Sequence, residues 1–144
     1  MSLAGRVGSL ESRWIEVDGL RMHVRASTRP VPAARPPVVL VHGYGVAGRY
    51  MVPLAEHLAP DFHVHIPDLP GFGRSNKPAK VLAIPDLADA LAAWMAEAGL
   101  GRAALVGNSL GCQILAEFAL RHGERVACLV LQGPTADPAA RTVR

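Results

Sequence analysis

Nothing in this 144-residue sequence approaches a run of about 18 apolar residues, so no segment reads as a membrane-spanning helix. The first ten residues lack the apolar centre of a secretory leader. Aromatic residues make up only 5%, and cysteine occurs twice. Cys112 and Cys128 sit in apolar stretches without metal-ligand spacing, and they read as reduced thiols of the interior. The net charge of +3 comes from scattered arginines such as Arg6, Arg13, Arg21, Arg25, Arg29 and Arg35. No basic stripe interleaved with aromatics accompanies them, so no nucleic-acid partner is expected. There is no internal repeat and no low-complexity segment. These absences leave the expectation of a cytoplasmic protein with no membrane partner. It would hold one domain over residues 13–144, behind a loose tail at 1–12.

What is present is ordered. Two alternating runs, from Trp14 and up to Val24, flank Asp18-Gly19, a strong hairpin signal. A proline-rich loop at 27–37 follows. Val38-Val39-Leu40-Val41 is continuously apolar, as in a strand buried on both faces of a parallel sheet. The spacing predicts a helix over 49–58, a strand over 62–66 and a loop rich in glycine and proline through Ser75. An amphipathic helix is predicted over 86–98, with Leu87, Leu91, Trp94, Met95 and Ala98 on one face and Gly99 as its stop. A strand at 103–106, a helix at 109–121 and an apolar strand at 126–131 complete the pattern. Strands alternating with helices imply an α/β fold with right-handed crossovers.

Gly107-Asn108-Ser109-Leu110-Gly111 matches G-x-S-x-G, with a strand before it and a helix after it. The sharp turn between them crowds the positions two before and two after the serine, and glycine at 107 and 111 meets that need. The turn lifts the Ser109 hydroxyl above the sheet and sets the Leu110 amide at a helix start, where positive potential favours an oxyanion. A second oxyanion donor belongs to the loop after the first parallel strand, and the Tyr44 amide in His42-Gly43-Tyr44-Gly45 is the candidate. A strand–turn–helix with glycines also occurs in phosphate loops, but the dinucleotide pattern G-x-G-x-x-G is not met here.

These segments, with Asp68-Leu69-Pro70-Gly71-Phe72-Gly73-Arg74-Ser75 between them, resemble the α/β-hydrolase superfamily across nearly all of residues 13–138. The resemblance implies a serine hydrolase with Ser109 as nucleophile. Tyr44 and Leu110 would supply the oxyanion amides, and His42, Gly43, Gly107, Asn108 and Gly111 would support the loop and elbow. Asp68 would shape its loop, and Tyr44 and Phe72 would line the pocket. Asn108 and the Gly133-Pro134-Thr135 segment resemble carbon–carbon bond hydrolases and small esterases. The implied substrate is a small molecule with an ester, or with a carbon–carbon bond next to a ketone. The implied chemistry needs no cofactor and no metal. Members with an aspartate at the elbow, the haloalkane dehalogenases and epoxide hydrolases, are disfavoured.

The rest of a triad is harder to find. The nucleophile needs a base about 3 Å away and a carboxylate behind it. Of the 35 residues after Ser109, only His122 is a histidine, thirteen positions on. Along a helix that is roughly 20 Å. His122 reads as a helix C-cap, His42 as a prop for its loop, His63 and His65 as a packed or edge pair, and His23 and His57 as surface residues. Asp137 stands where some members of the fold keep their acid, yet a loop aspartate before Pro138 explains it as well. The superfamily has about eight strands and this sequence supplies about six, leaving Val126–Leu131 as an open apolar edge that invites self-association or pairing. The expectation is therefore a fragment of a longer gene product, inactive alone. The alternatives are a half-enzyme completed by a second chain, and a binding module without catalysis.

Overall fold

The computed structural model describes residues 6–134. Its strands are β1 (Arg6–Val7), β2 (Leu10–Val17), β3 (Leu20–Ser27), β4 (Val38–Val41), β5 (Val64–Pro67), β6 (Ala103–Asn108) and β7 (Val126–Gln132). The α-helices are α1 (Val52–Leu58), α2 (Ile84–Glu97) and α3 (Leu110–Arg121). The strands form one sheet in the order β1-β2-β3-β5-β4-β6-β7. The first three strands and the β3–β5 pair are antiparallel, whereas β5, β4, β6 and β7 run parallel.

The hairpin forms where Asp-Gly placed it. Asp18 (φ 48°) and Gly19 (φ 77°) both take the left-handed backbone that a two-residue turn between twisted strands requires. Along β4 the side chains alternate. Val38 and Leu40 pack with Met51 and Ala55 on the α1 face, while Val39 and Val41 pack with Leu91, Trp94, Leu115 and Phe118 on the face of α2 and α3. Both faces are covered, which is why the strand has no polar residue. The predicted stripe of α2 is buried at Leu87, Leu91, Trp94 and Met95. Its end is a Schellman motif: the Leu100 N–H donates to Met95 O and the Gly99 N–H to Ala96 O, with Gly99 at φ 72°. The expected helix at 49–58 is divided into a 3-10 turn, Gly48–Met51, and α1, which carries a proline in its first turn.

Three expectations are corrected, the first being Cys128, which is exposed on β7 and not in the interior. Residues 6–12 are not a loose tail but form β1, the turn at Gly8-Ser9 and the start of β2, and Leu10 is only 1% exposed in the α1-side core. Glu56 of α1 anchors the turn before it by accepting from both the amide and the hydroxyl of Ser9, at 3.1 and 2.8 Å. Residues 1–5 lie outside the described part. His23 is not on the surface but is fully buried, because β3 is covered on both faces.

His65 of β5 packs edge-on to Trp94 with ring centroids 6.1 Å apart. Burial pushes it down from 6.5 to about 4, and the charges of His63 and Arg13 add to this. The unfolded chain therefore takes up the proton first as pH falls from 6.5 towards 4, and stability declines across that window. His65 is expected to cost about 2 kcal/mol between pH 7 and pH 5. Urea unfolding at the two pH values should show at least that loss, and His65→Gln should reduce it, leaving the share of His42, whose pKa burial also lowers. An unchanged slope in the variant would assign the acid sensitivity elsewhere.

Candidate active site

The site forms where the strand order reverses. The chain goes from β4 to β5 on one side and then returns to β6 on the other, which opens a crevice at the carboxyl ends of β4 and β6. Register does the rest. Val41 of β4 pairs with Gly107 of β6, so the next residues of each strand, His42-Gly43 and Asn108-Ser109, emerge side by side. A Cβ added to Gly43 would lie 3.1 Å from Cβ of Ser109.

Ser109 has φ 52° and ψ −115°. It shares positive φ with Asp18 alone among the described non-glycine residues, and the hairpin turn accounts for Asp18. Such a conformation costs about 1–3 kcal/mol for a residue with a Cβ and persists only where the surroundings enforce it. Here the Ser109 N–H donates to Gln132 O at 3.1 Å, and its carbonyl accepts from the Cys112 N–H at 2.9 Å. The two elbow glycines are required for space rather than for φ. A Cβ on Gly107 would meet the Gly111 carbonyl oxygen at 2.7 Å. A Cβ on Gly111 would collide with the Val41 carbonyl oxygen and sit 2.9 Å from that of His42. The constraint on Gly111 thus comes from the neighbouring strand and not from its own turn. Cys112 is buried behind the elbow, its thiol donating to the Gly107 and Gln132 carbonyls, and burial raises its pKa.

Among the described residues, neither the Tyr44 nor the Leu110 amide donates a hydrogen bond to the protein. The Tyr44 loop is held by His42, which is buried. Its Nδ1 donates to Gly43 O at 2.9 Å and its Nε2 accepts from the Leu69 N–H at 3.2 Å. Burial lowers the His42 pKa, offset in part by the Gly43 carbonyl and by Asp68. Both ring nitrogens are engaged, so His42 has none left for Ser109.

Asp68 is the hub of the loop behind the site. One carboxylate oxygen accepts from the Gly48 N–H at 2.7 Å, and the other from the Arg74 N–H at 3.0 Å and His23 Nδ1 at 2.8 Å. Burial alone would raise its pKa; these donors, His23 foremost, hold it below the ordinary carboxylate range. His23 Nε2 meets Ser12 Oγ at 3.0 Å. Ser12–His23–Asp68 has the connectivity of a serine–histidine–carboxylate relay, but Ser12 is 5% exposed and its hydroxyl already accepts from Arg74 at 3.3 Å. This relay is closed to substrate and serves the loop. Sequence reading missed His23; its position in the strand facing the Asp68 loop is the signal, and that pairing is visible only in three dimensions.

The remaining candidates separate. His122 stands at the end of α3, away from the elbow, and its Nε2 bonds to Asp89 of α2 at 2.9 Å. His57 and His63 are exposed. Among the described residues no histidine is hydrogen-bonded to Ser109, and no cluster of side chains could hold a metal ion. Asp137 and Thr135 lie outside the described residues. Beside the elbow opens a cavity of about 560 Å³, walled by Tyr44, Phe72, Leu82, Ile84, Leu87 and Leu110.

Comparison with known proteins gives the same frame. A family model for the α/β hydrolase fold matches residues 36–143. Abhydrolase domain-containing protein abhd-5.2 of Caenorhabditis elegans is 35% identical over 113 residues, 75% of this chain and 25% of that protein. A pimeloyl-[acyl-carrier protein] methyl ester esterase of Aeromonas hydrophila is 38% identical over 96 residues, 66% of this chain and 36% of the esterase. The crystal structure of a membrane phospholipase A, described as a bacterial virulence factor, superposes with a TM-score of 0.84 at 32% identity, over 93% of this chain and 43% of that one. The chain thus spans about a quarter to a third of the length of these curated relatives. With the family model covering most of its residues, it belongs to the α/β hydrolase fold family.

Proposed function

We propose that the protein is a serine esterase in which Ser109 forms an acyl-enzyme. The observation that carries this reading is the strained Ser109 backbone beside two amides, Tyr44 and Leu110, that have no protein acceptor among the described residues. Ser109 Oγ would attack the ester carbonyl carbon while its proton passes to a base. The carbonyl electrons would move to an oxyanion facing the two amides, each lowering the barrier by about 3–4 kcal/mol. Collapse breaks the carbon–oxygen bond, and the alcohol leaves with the proton. Water then repeats the attack and releases the acid. A carbon–carbon bond next to a ketone would be cut by the same attack with a carbanion leaving. An esterase among the relatives supports the ester reading.

The base and its carboxylate are assigned to residues outside 6–134, in the same protein or in a second chain. The surface on which that part would pack is β7, whose Leu129, Val130 and Leu131 are exposed on an edge that no other strand covers among the described residues. The same edge supports self-association. The test is labelling of the chain with a fluorophosphonate, located by mass spectrometry. Alone it should label negligibly, because a serine without a base stays protonated. Added imidazole should raise labelling roughly tenfold or more, at Ser109 only, and Ser109→Ala should abolish it. No response to imidazole would refute Ser109 as nucleophile. Fast labelling without imidazole would refute the assignment of the base.

A further inference from the structure

The whole chain contains two lysines, Lys77 and Lys80, against thirteen arginines, and both lysines line the cavity beside Ser109. That lining contains no carboxylate. Neither lysine has an ion-pair or hydrogen-bond partner among the described residues. The nearest acid along the chain, Asp86 in the first turn of α2, is committed to the Ala83 N–H at 2.9 Å. The wall below the lysines is apolar: Leu82, Ile84, Leu87 and Leu110.

The lysines are also rooted. Asn76, just before Lys77, is pinned to β3 at both ends: its N–H donates to Arg21 O and its Oδ1 accepts from the Arg21 N–H, each at 2.9 Å. Its carbonyl accepts from the Gly71 N–H at 3.0 Å. Pro78 fixes the backbone between the two lysines. The ammonium groups therefore swing about anchored stems at the rim of an apolar cavity of drug-molecule size. An ammonium on a flexible stem is a point charge that meets an anion of any shape, unlike the planar fork of arginine.

From this juxtaposition we propose that the cavity is a subsite for an anionic amphiphile. Its apolar chain would lie against Leu82, Ile84 and Leu87, and its carboxylate or phosphate would be held by Lys77 and Lys80. As a substrate subsite it rests on the reading of Ser109, and it selects esters that carry a negative charge at the end remote from the reacting carbonyl. The binding itself does not depend on Ser109, so the two readings fail separately.

The experiment is calorimetric titration of the chain, and of its Ser109→Ala form, with hexanoate, hexyl phosphate and hexanol at low salt. Both anions should bind roughly threefold to tenfold more tightly than hexanol, and the preference should shrink as salt is added. A Lys77→Gln/Lys80→Gln variant should bind all three alike, with the hexanol affinity unchanged. Both lysines are exposed, so this variant should keep the fold. A preference for hexyl phosphate alone would narrow the ligand to phosphates, and equal affinity for both anions would leave charge as the recognised feature. Equal affinity of the parent chain for anions and hexanol, or a preference that survives loss of both lysines, would overturn the proposal. Imidazole-dependent labelling of Ser109 would be untouched by that result.

Discussion

Asp68→Ala is expected to remove about 3–5 kcal/mol of folding stability, enough to unfold much of a domain whose total is about 5–15 kcal/mol. The substitution strands the Gly48 and Arg74 amides and His23 Nδ1 in a buried place, and leaves Arg25, 3.7 Å away, without its counter-charge. Each buried donor without a partner costs about 1–3 kcal/mol. Asp68→Asn keeps one accepting oxygen and should lose less. Since the folded protein holds the Asp68 carboxyl below its ordinary pKa, its contribution is complete above the unfolded value and disappears as pH falls through the folded one. Urea unfolding followed by circular dichroism should therefore show a smaller loss for Asp68→Ala as the pH is lowered into that range. A loss below 1 kcal/mol at neutral pH would mean that water replaces the carboxylate and that the hub is not a hub.

Gly111→Ala is expected to cost about 3 kcal/mol or more, although alanine is the better helix former. The added Cβ runs into the Val41 carbonyl, which is backbone of the adjoining strand and has no rotamer through which to retreat. The strain falls on the contact that holds the elbow against the His42 loop. The variant should lose imidazole-dependent labelling of Ser109 even at temperatures where it remains folded. Gly101→Ala is the control: its Cβ would meet nothing within 4 Å and its φ is not positive, so stability should be unchanged or slightly raised. Equal behaviour of the two variants in thermal unfolding would show that β4 and β6 can part without penalty.

Much of this was legible in the sequence because it is encoded locally. Asp18-Gly19, the apolar run at Val38–Val41, the stripe of α2 and its Gly99 stop each act within a few residues of themselves. The elbow turn at Ser109 was legible because its pentapeptide sits between a strand and a helix. What was not legible depends on distant partners. Leu10 reads as part of a tail until Glu56 of α1 is seen holding Ser9, 47 residues away. His23 reads as a surface residue because alternation along a strand reports one covered face, and β3 has two. Its partner Asp68 is 45 residues away. The need for glycine at 111 was visible, but its source, the Val41 carbonyl, belongs to another strand.

The pairing of Val41 with Gly107 also orders events in time. In the β2–β3 hairpin, Val17 and Leu20 meet across a two-residue turn, and such hairpins close in about 1–10 μs. β4 and β6 meet across 66 residues, and that long loop must close before their contacts return any free energy. The strained backbone of Ser109 is held in part by the Gln132 carbonyl, which reaches it only once β7 has joined β6 in the sheet. During refolding, far-ultraviolet circular dichroism will register the hairpin and helices early, whereas a serine-directed reagent supplied with imidazole will register only chains whose parallel strands have already met.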